Sequence, residues 1–172
     1  MKRYAVATLT ALLSLNAFAA DNTDCYSNKY DAYVDASLQW YQDLTNLTVE
    51  KYPELAEVSD WFMQGRKNHF ELNRTAVHYY LMAEPQKIAT EQPVESWLSL
   101  EQKEVKAMTE RDDRLGDVAR ATFEDRQAKP HAQNYELRSA FADLLSHPTE
   151  IQPLLNKYNQ SIEQIQSKSC NN

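Results

Sequence analysis

The sequence predicts an all-α protein, and three observations carry that expectation. Apolar residues recur at a helical spacing from about residue 26 to the C-terminal end, and no run keeps the alternation of a strand for long. The chain of 172 residues has only two glycines, Gly65 and Gly116, so flexible turns are few. Prolines at 53, 85, 93, 130, 148 and 153 punctuate it instead. About five helices in an antiparallel bundle follow from this pattern.

The N-terminal segment has the three parts of a secretory signal. Lys2 and Arg3 give a basic start, Ala5 to Leu15 an apolar run broken only by Thr8, Thr10 and Ser14, and Ala17-Phe18-Ala19 a small-x-small cleavage pattern. Residues 1–19 are therefore expected to be cleaved, leaving residues 20–172 as a single helical domain. The apolar run is shorter than the roughly 20 residues that span a bilayer, and charges recur from Asp21 onward, so no membrane span is expected. Lys2-Arg3 is not a twin-arginine pattern, which points to Sec-type export into a bacterial periplasm or beyond the cell.

The first helix is expected over about 26–50, with Tyr26, Tyr30, Tyr33, Trp40, Tyr41 and Leu44 on one face and Asn28, Asp35, Gln39, Gln42 and Asp43 opposite. Tyr52-Pro53 ends it and opens a second, over about 53–83, because proline is tolerated in a first helical turn. Leu55, Val58, Phe62, Ala76, Val77 and Tyr80 form its stripe, and Gly65 is its candidate kink. Residues 85–93 connect to a third helix, over about 94–128, with Trp97, Leu98, Val105, Met108, Leu115, Ala119 and Phe123 aligned and Gly116 as its candidate break. A fourth over about 133–145 aligns Leu137, Ala140, Phe141 and Leu144. The fifth starts at His147-Pro148-Thr149, runs to about 168, and aligns Ile151, Leu154, Leu155, Tyr158, Ile162 and Ile165.

Two cysteines, Cys25 and Cys170, stand near the two ends. In an oxidising compartment they are expected to pair, closing a loop of about 146 residues worth roughly 5 kcal/mol on the chain-entropy account. Losing Lys2 and Arg3 takes the formal charge from −7 to −9. Such a surface repels nucleic acid and anionic membrane, so neither is expected as a partner. Beyond residue 19, nine tyrosines and three tryptophans supply the large apolar areas of the core.

Metal, haem, phosphate-loop and serine-hydrolase motifs are absent: there is no His-Glu-x-x-His, Glu-x-x-His, Cys-x-x-Cys or Gly-x-Ser-x-Gly, and His69, His78, His131 and His147 lack ligand spacing. No metal or cofactor is expected, and Met63, Met82 and Met108 read as apolar filling. One polar set stands out. Arg66, His69 and Asn73, at i, i+3 and i+7, fall within the second helix's apolar stripe. Glu101, Asp112 and Arg126 fall among the apolar residues of the third. Burying such groups is costly unless they pair, so facing helices are expected to join them or leave them exposed. In a cleft, a histidine beside carboxylates would serve acid–base chemistry. Trp40 and Trp61, at the edges of their stripes, are the expected exposed anchors for a partner. The mixed-sign run Thr109 to Arg114 reads as a solvated helix face.

The function expected from these features is binding rather than catalysis: an interaction protein of the periplasm, of inhibitor, immunity or chaperone-like kind, whose partner is another exported protein. The alternative is a small periplasmic enzyme or ligand carrier built on Arg66, His69, Asn73, Glu101 and Asp112. Nothing in the sequence sets the number of copies.

Overall fold

Long helices with few breakers need tertiary contacts to fix where each one stops, and a computed structural model shows where these stop. It describes residues 14–170, with side chains from residue 22. The expected signal segment lies outside the described residues up to position 13, and from Ser14 the chain is already in the first helix. Among the described residues six helices form: α1, Ser14–Lys51; α2, Ala56–Ala83; α3, Gln102–Met108; α4, Arg114–Gln127; α5, Asn134–Ser146; and α6, Pro148–Ser167. Single 3-10 turns stand at Pro53–Leu55, Pro85–Lys87 and Val94–Ser96, and no strand occurs among the described residues.

The all-α expectation holds, with the third helix corrected. One run over 94–128 was expected, and the chain forms a short turn, an extended stretch and two helices. Pro93 opens a 3-10 turn that buries Val94 and Trp97 at the i, i+3 spacing a helix also has. Ala89 then donates its backbone N–H to Trp97 O (3.0 Å), and the Trp97 indole donates to Gln92 O (2.8 Å), closing residues 89–97 into a loop. The second break is at 109–113 rather than at Gly116. There Asp113 caps α4 by accepting the Gly116 N–H (3.1 Å), and Arg120 donates to the carbonyls of Thr109 and Arg111 (2.7 and 2.9 Å). The charged run 109–114 is thus a folded turn leading into α4. At the other end of the chain, α1 begins earlier than Tyr26, and α2 runs unbroken through Gly65.

The main core lies between α1, α2 and α4 and is closed by the 89–100 loop. Tyr30 and Val34 of α1, Leu72, Ala76, Val77 and Tyr80 of α2, Trp97, and Leu115 and Ala119 of α4 are all buried there. Tyr30 stacks on Trp97 at 6.0 Å between centroids and Tyr26 meets it edge-on at 5.6 Å, so the aromatic face of α1 is core. A second cluster joins Leu55 and Val58 to Leu137 and Ala140 of α5, and a third joins Leu44 of α1 to Leu144 and Ile151. The expected disulfide Cys25–Cys170 is present, with a Cα–Cα distance of 5.6 Å. Beside it Lys29 donates to the carbonyls of Gln166 and Lys168 (3.1 and 2.8 Å), so a cation meets the negative end of α6. Staple and cap together hold α6 along α1.

Candidate functional site

Two of the places among the described residues that bring polar and aromatic side chains together bear on function. The first contains the α2 residues singled out in the sequence. His69 sits between α2 and α4, within reach of the Arg126 guanidinium (3.3 Å to Nδ1) and the Asn73 amide (3.4 Å to Nε2). A guanidinium can only donate, so Nδ1 accepts from Arg126, and the Asn73 amide nitrogen lies against Nε2. Burial, with Arg66 and Arg126 nearby, pushes the His69 pKa down to about 4, which keeps the ring neutral. Arg126 also donates to the Gln102 side chain (3.0 Å). The Arg66 guanidinium lies over the rings of Phe62 and Tyr41, 5.3 and 5.6 Å from their centroids, and its Nε is shielded without a hydrogen-bond partner.

Arg66, His69, Asn73 and Arg126 are therefore brought together, and Glu101 and Asp112 do not bond to them. The Glu101 carboxylate is exposed and pairs with Lys103 (2.8 Å), while its backbone N–H donates to Glu104 at the start of α3. Asp112 stands exposed in the turn before α4. The cluster is cationic around a neutral histidine. Its one free imidazole lone pair is already occupied by Arg126. As arranged, His69 positions Arg126 and Asn73 between packed helices.

The second place is a groove of about 430 Å³ between α1 and α6. Ala32, Ala36, Leu154 and Ile165 give it apolar lining, and Trp40 packs against Tyr158 there with ring centroids 5.8 Å apart. The alanines decide its depth: two small residues on successive turns of α1 leave space that larger side chains would fill. Its rim is polar and ordered. Gln39 donates to one oxygen of Asp43 and Lys157 to the other, both at 2.7 Å, leaving the Asp43 side chain 16% exposed. Asp35, at the other end, pairs with Arg74, which also meets Asp31 and Glu71. Ser161 and Gln164 complete the α6 side.

Of the two expected anchors, Trp40 is half-buried at the centre of this groove, whereas half-buried Trp61 covers the second cluster with its ring 6.0 Å from that of His131. Two of the methionines read as filling, Met63 and Met108, are buried; Met82 is 74% exposed at the end of α2. Sequence reasoning did not assemble the groove, although its parts were visible. Asp35, Gln39 and Asp43 recur at i, i+4 and i+8 beside Trp40, a polar ridge against an aromatic, and Leu154, Tyr158 and Ile165 belong to the α6 stripe. Their meeting depends on how α6 lies on α1.

Among the described residues no helix is long and apolar enough to cross a membrane, and no group of three or more His, Cys, Asp or Glu is placed to hold a metal ion. No family model, curated protein or solved structure matches the chain.

Proposed function

We propose that the chain is an exported binding protein that engages its partner along the α1–α6 groove, with Trp40 as the central contact. The observation that carries this reading is the groove itself, where an aromatic pair sits over an apolar floor inside an ordered rim of hydrogen-bonding groups. Sites of this size, mostly apolar with a few fixed polar groups, are the usual form of a binding pocket. The disulfide between the chain ends and the three-part N-terminal segment support export through a Sec-type signal cleaved after Ala19 into a periplasm or beyond the cell. An inhibitor, immunity-type or chaperone-like role is consistent with a small stapled helical protein of this charge. The alternative, chemistry at His69, draws less support, because no carboxylate bonds to that ring and its basic nitrogen is engaged by Arg126.

Native mass spectrometry of the protein purified gently from its compartment tests the reading. The expected result is a chain beginning after residue 19 that carries added mass, with the addition lost in Trp40→Ala. A bare chain that gives no captured partner would overturn the reading, and an addition retained in Trp40→Ala and lost in His69→Ala would move the assignment to the His69 cluster.

A further inference from the structure

The proposed groove also carries information about what fills it. Its volume, about 430 Å³, lies in the range of small-ligand sites. The stretch of α1 from Ala32 to Asp43 gives it a length of roughly 16 Å at the helical rise. The occupant is therefore narrow and short.

Charge narrows the choice further. Each ionic group in the lining already has its counter-charge: Asp43 holds Lys157, and Asp35 holds Arg74. A charged ligand that displaced Lys157 would leave the shielded Asp43 carboxylate uncompensated, a costly exchange, although Arg74 keeps Asp31 and Glu71 if Asp35 is drawn away. A neutral ligand breaks none. It can still bond to the groove, because carboxylate and amide oxygens keep free lone pairs after the contacts described, Ser161 can accept while its hydroxyl donates to Lys157 O (3.0 Å), and Gln164 can both donate and accept.

The remaining requirement is a molecule with an apolar face and a hydroxylated edge. Trp40 and Tyr158, packed against one another, offer an aromatic surface beside the apolar floor, while Gln39, Asp43 and Gln164 offer planar hydrogen-bonding groups that suit paired hydroxyls. A pyranose meets both demands, stacking its C–H face on an indole and turning its hydroxyls to the rim. Resting on the assignment of binding to this groove, we infer that the α1–α6 groove binds a short neutral oligosaccharide, with Trp40 as its stacking platform and the Gln39–Asp43–Lys157 array as its hydroxyl clamp.

The test is a glycan array of neutral and acidic oligosaccharides probed with the full processed protein, followed by titration of its tryptophan fluorescence with triacetylchitotriose, maltotriose and any array-positive neutral glycan. Saturable binding of at least one neutral oligosaccharide is expected, weakened about tenfold or more in Trp40→Ala and severalfold in Asp43→Asn, and unchanged in Trp61→Phe. Asp43→Asn is nearly isosteric, and Ala36→Leu, which fills the floor, gives a third variant should Trp40→Ala lower the thermal midpoint. No neutral glycan bound on the array, a preference for acidic glycans, or binding that survives all three variants overturns the inference. A polypeptide that co-purifies with the wild type and is lost in Trp40→Ala also overturns the saccharide assignment, while leaving the groove as the binding site.

Discussion

Replacing each glycine by alanine makes the same chemical change in two helices, and the structure gives the two changes opposite signs. Alanine is favoured over glycine in a helix interior by about 1 kcal/mol, so propensity alone makes both replacements stabilising. At Gly65, inside α2, a Cβ would meet the Asp125 carboxylate at 3.1 Å. That is the free end of a side chain on α4, which swings aside at little cost, so a gain of about 0.5–1 kcal/mol survives. At Gly116 the added Cβ would lie 2.1 Å from the Arg111 carbonyl oxygen and 2.8 Å from its carbon. Those atoms are backbone and they are held: Arg111 N–H donates to Met108 O (3.1 Å), and Arg111 O accepts from Arg120 (2.9 Å).

Relieving the contact at Gly116 means moving the 109–113 turn away from the start of α4. That motion sacrifices the Asp113 cap, worth about 1 kcal/mol, and strains two charge-assisted bonds from Arg120, each worth about 1.5–3 kcal/mol. A net loss of about 3 kcal/mol is expected for Gly116→Ala, against a gain for Gly65→Ala. Urea unfolding followed by far-ultraviolet circular dichroism measures both, with equal slopes confirming that the denatured state is unchanged. For a chain of this size the thermal midpoint moves about 2–4 °C per kcal/mol, so the variants should fall on opposite sides of the wild type. Two shifts of the same sign, or a Gly116→Ala within about 0.5 kcal/mol of the wild type, would refute the account of α4 as pinned against the turn.

Three further outcomes follow from the same contacts. Cys25→Ser with Cys170→Ser should lower stability by up to about 5 kcal/mol, because it frees a loop spanning a sequence separation of 145; unaltered denaturant midpoints would show that the Lys29 cap alone holds α6. His69 has a folded-state pKa near 4 against an ordinary 6.5, so the unfolded chain takes up its proton first; its contribution is complete above pH 6.5 and is lost as the pH falls towards 4. His69→Gln should flatten that part of the stability–pH curve, and an unchanged acid limb would place the titration elsewhere. Trp97→Ala should cost about 3–5 kcal/mol in chemical denaturation, since it empties a buried indole site and leaves Gln92 O unpaired; a loss below about 1 kcal/mol would mean that the 89–97 loop is not part of the core.

The sequence by itself determined the helical class, the pairing of Cys25 with Cys170, and most of the buried face of each helix. These are properties of local period, of the scarcity of glycine, and of there being two cysteines to pair. Tyr30, Leu44, Val58, Val77, Leu137 and Ile151 follow from that period and are buried. Only the tertiary structure decided where the third helical run stops. Val94 and Trp97 satisfy a helix and a 3-10 turn equally well, and the choice rests on the bonds that close the 89–97 loop. The break before Gly116 likewise depends on Arg120, about one turn further along, reaching back to the carbonyls of Thr109 and Arg111.

The two candidate sites divide in the same way. Arg66, His69 and Asn73 share a helix face by spacing, and that much was legible in the sequence. Whether Glu101 and Asp112 or Arg126 would meet them depended on the register of α4 against α2, which no single-helix pattern contains. The groove is still less local, because Trp40 and Tyr158 are more than a hundred residues apart. Periodicity shows which face of a helix is apolar, but the angle and register at which two such faces meet are set by side-chain packing across the whole molecule.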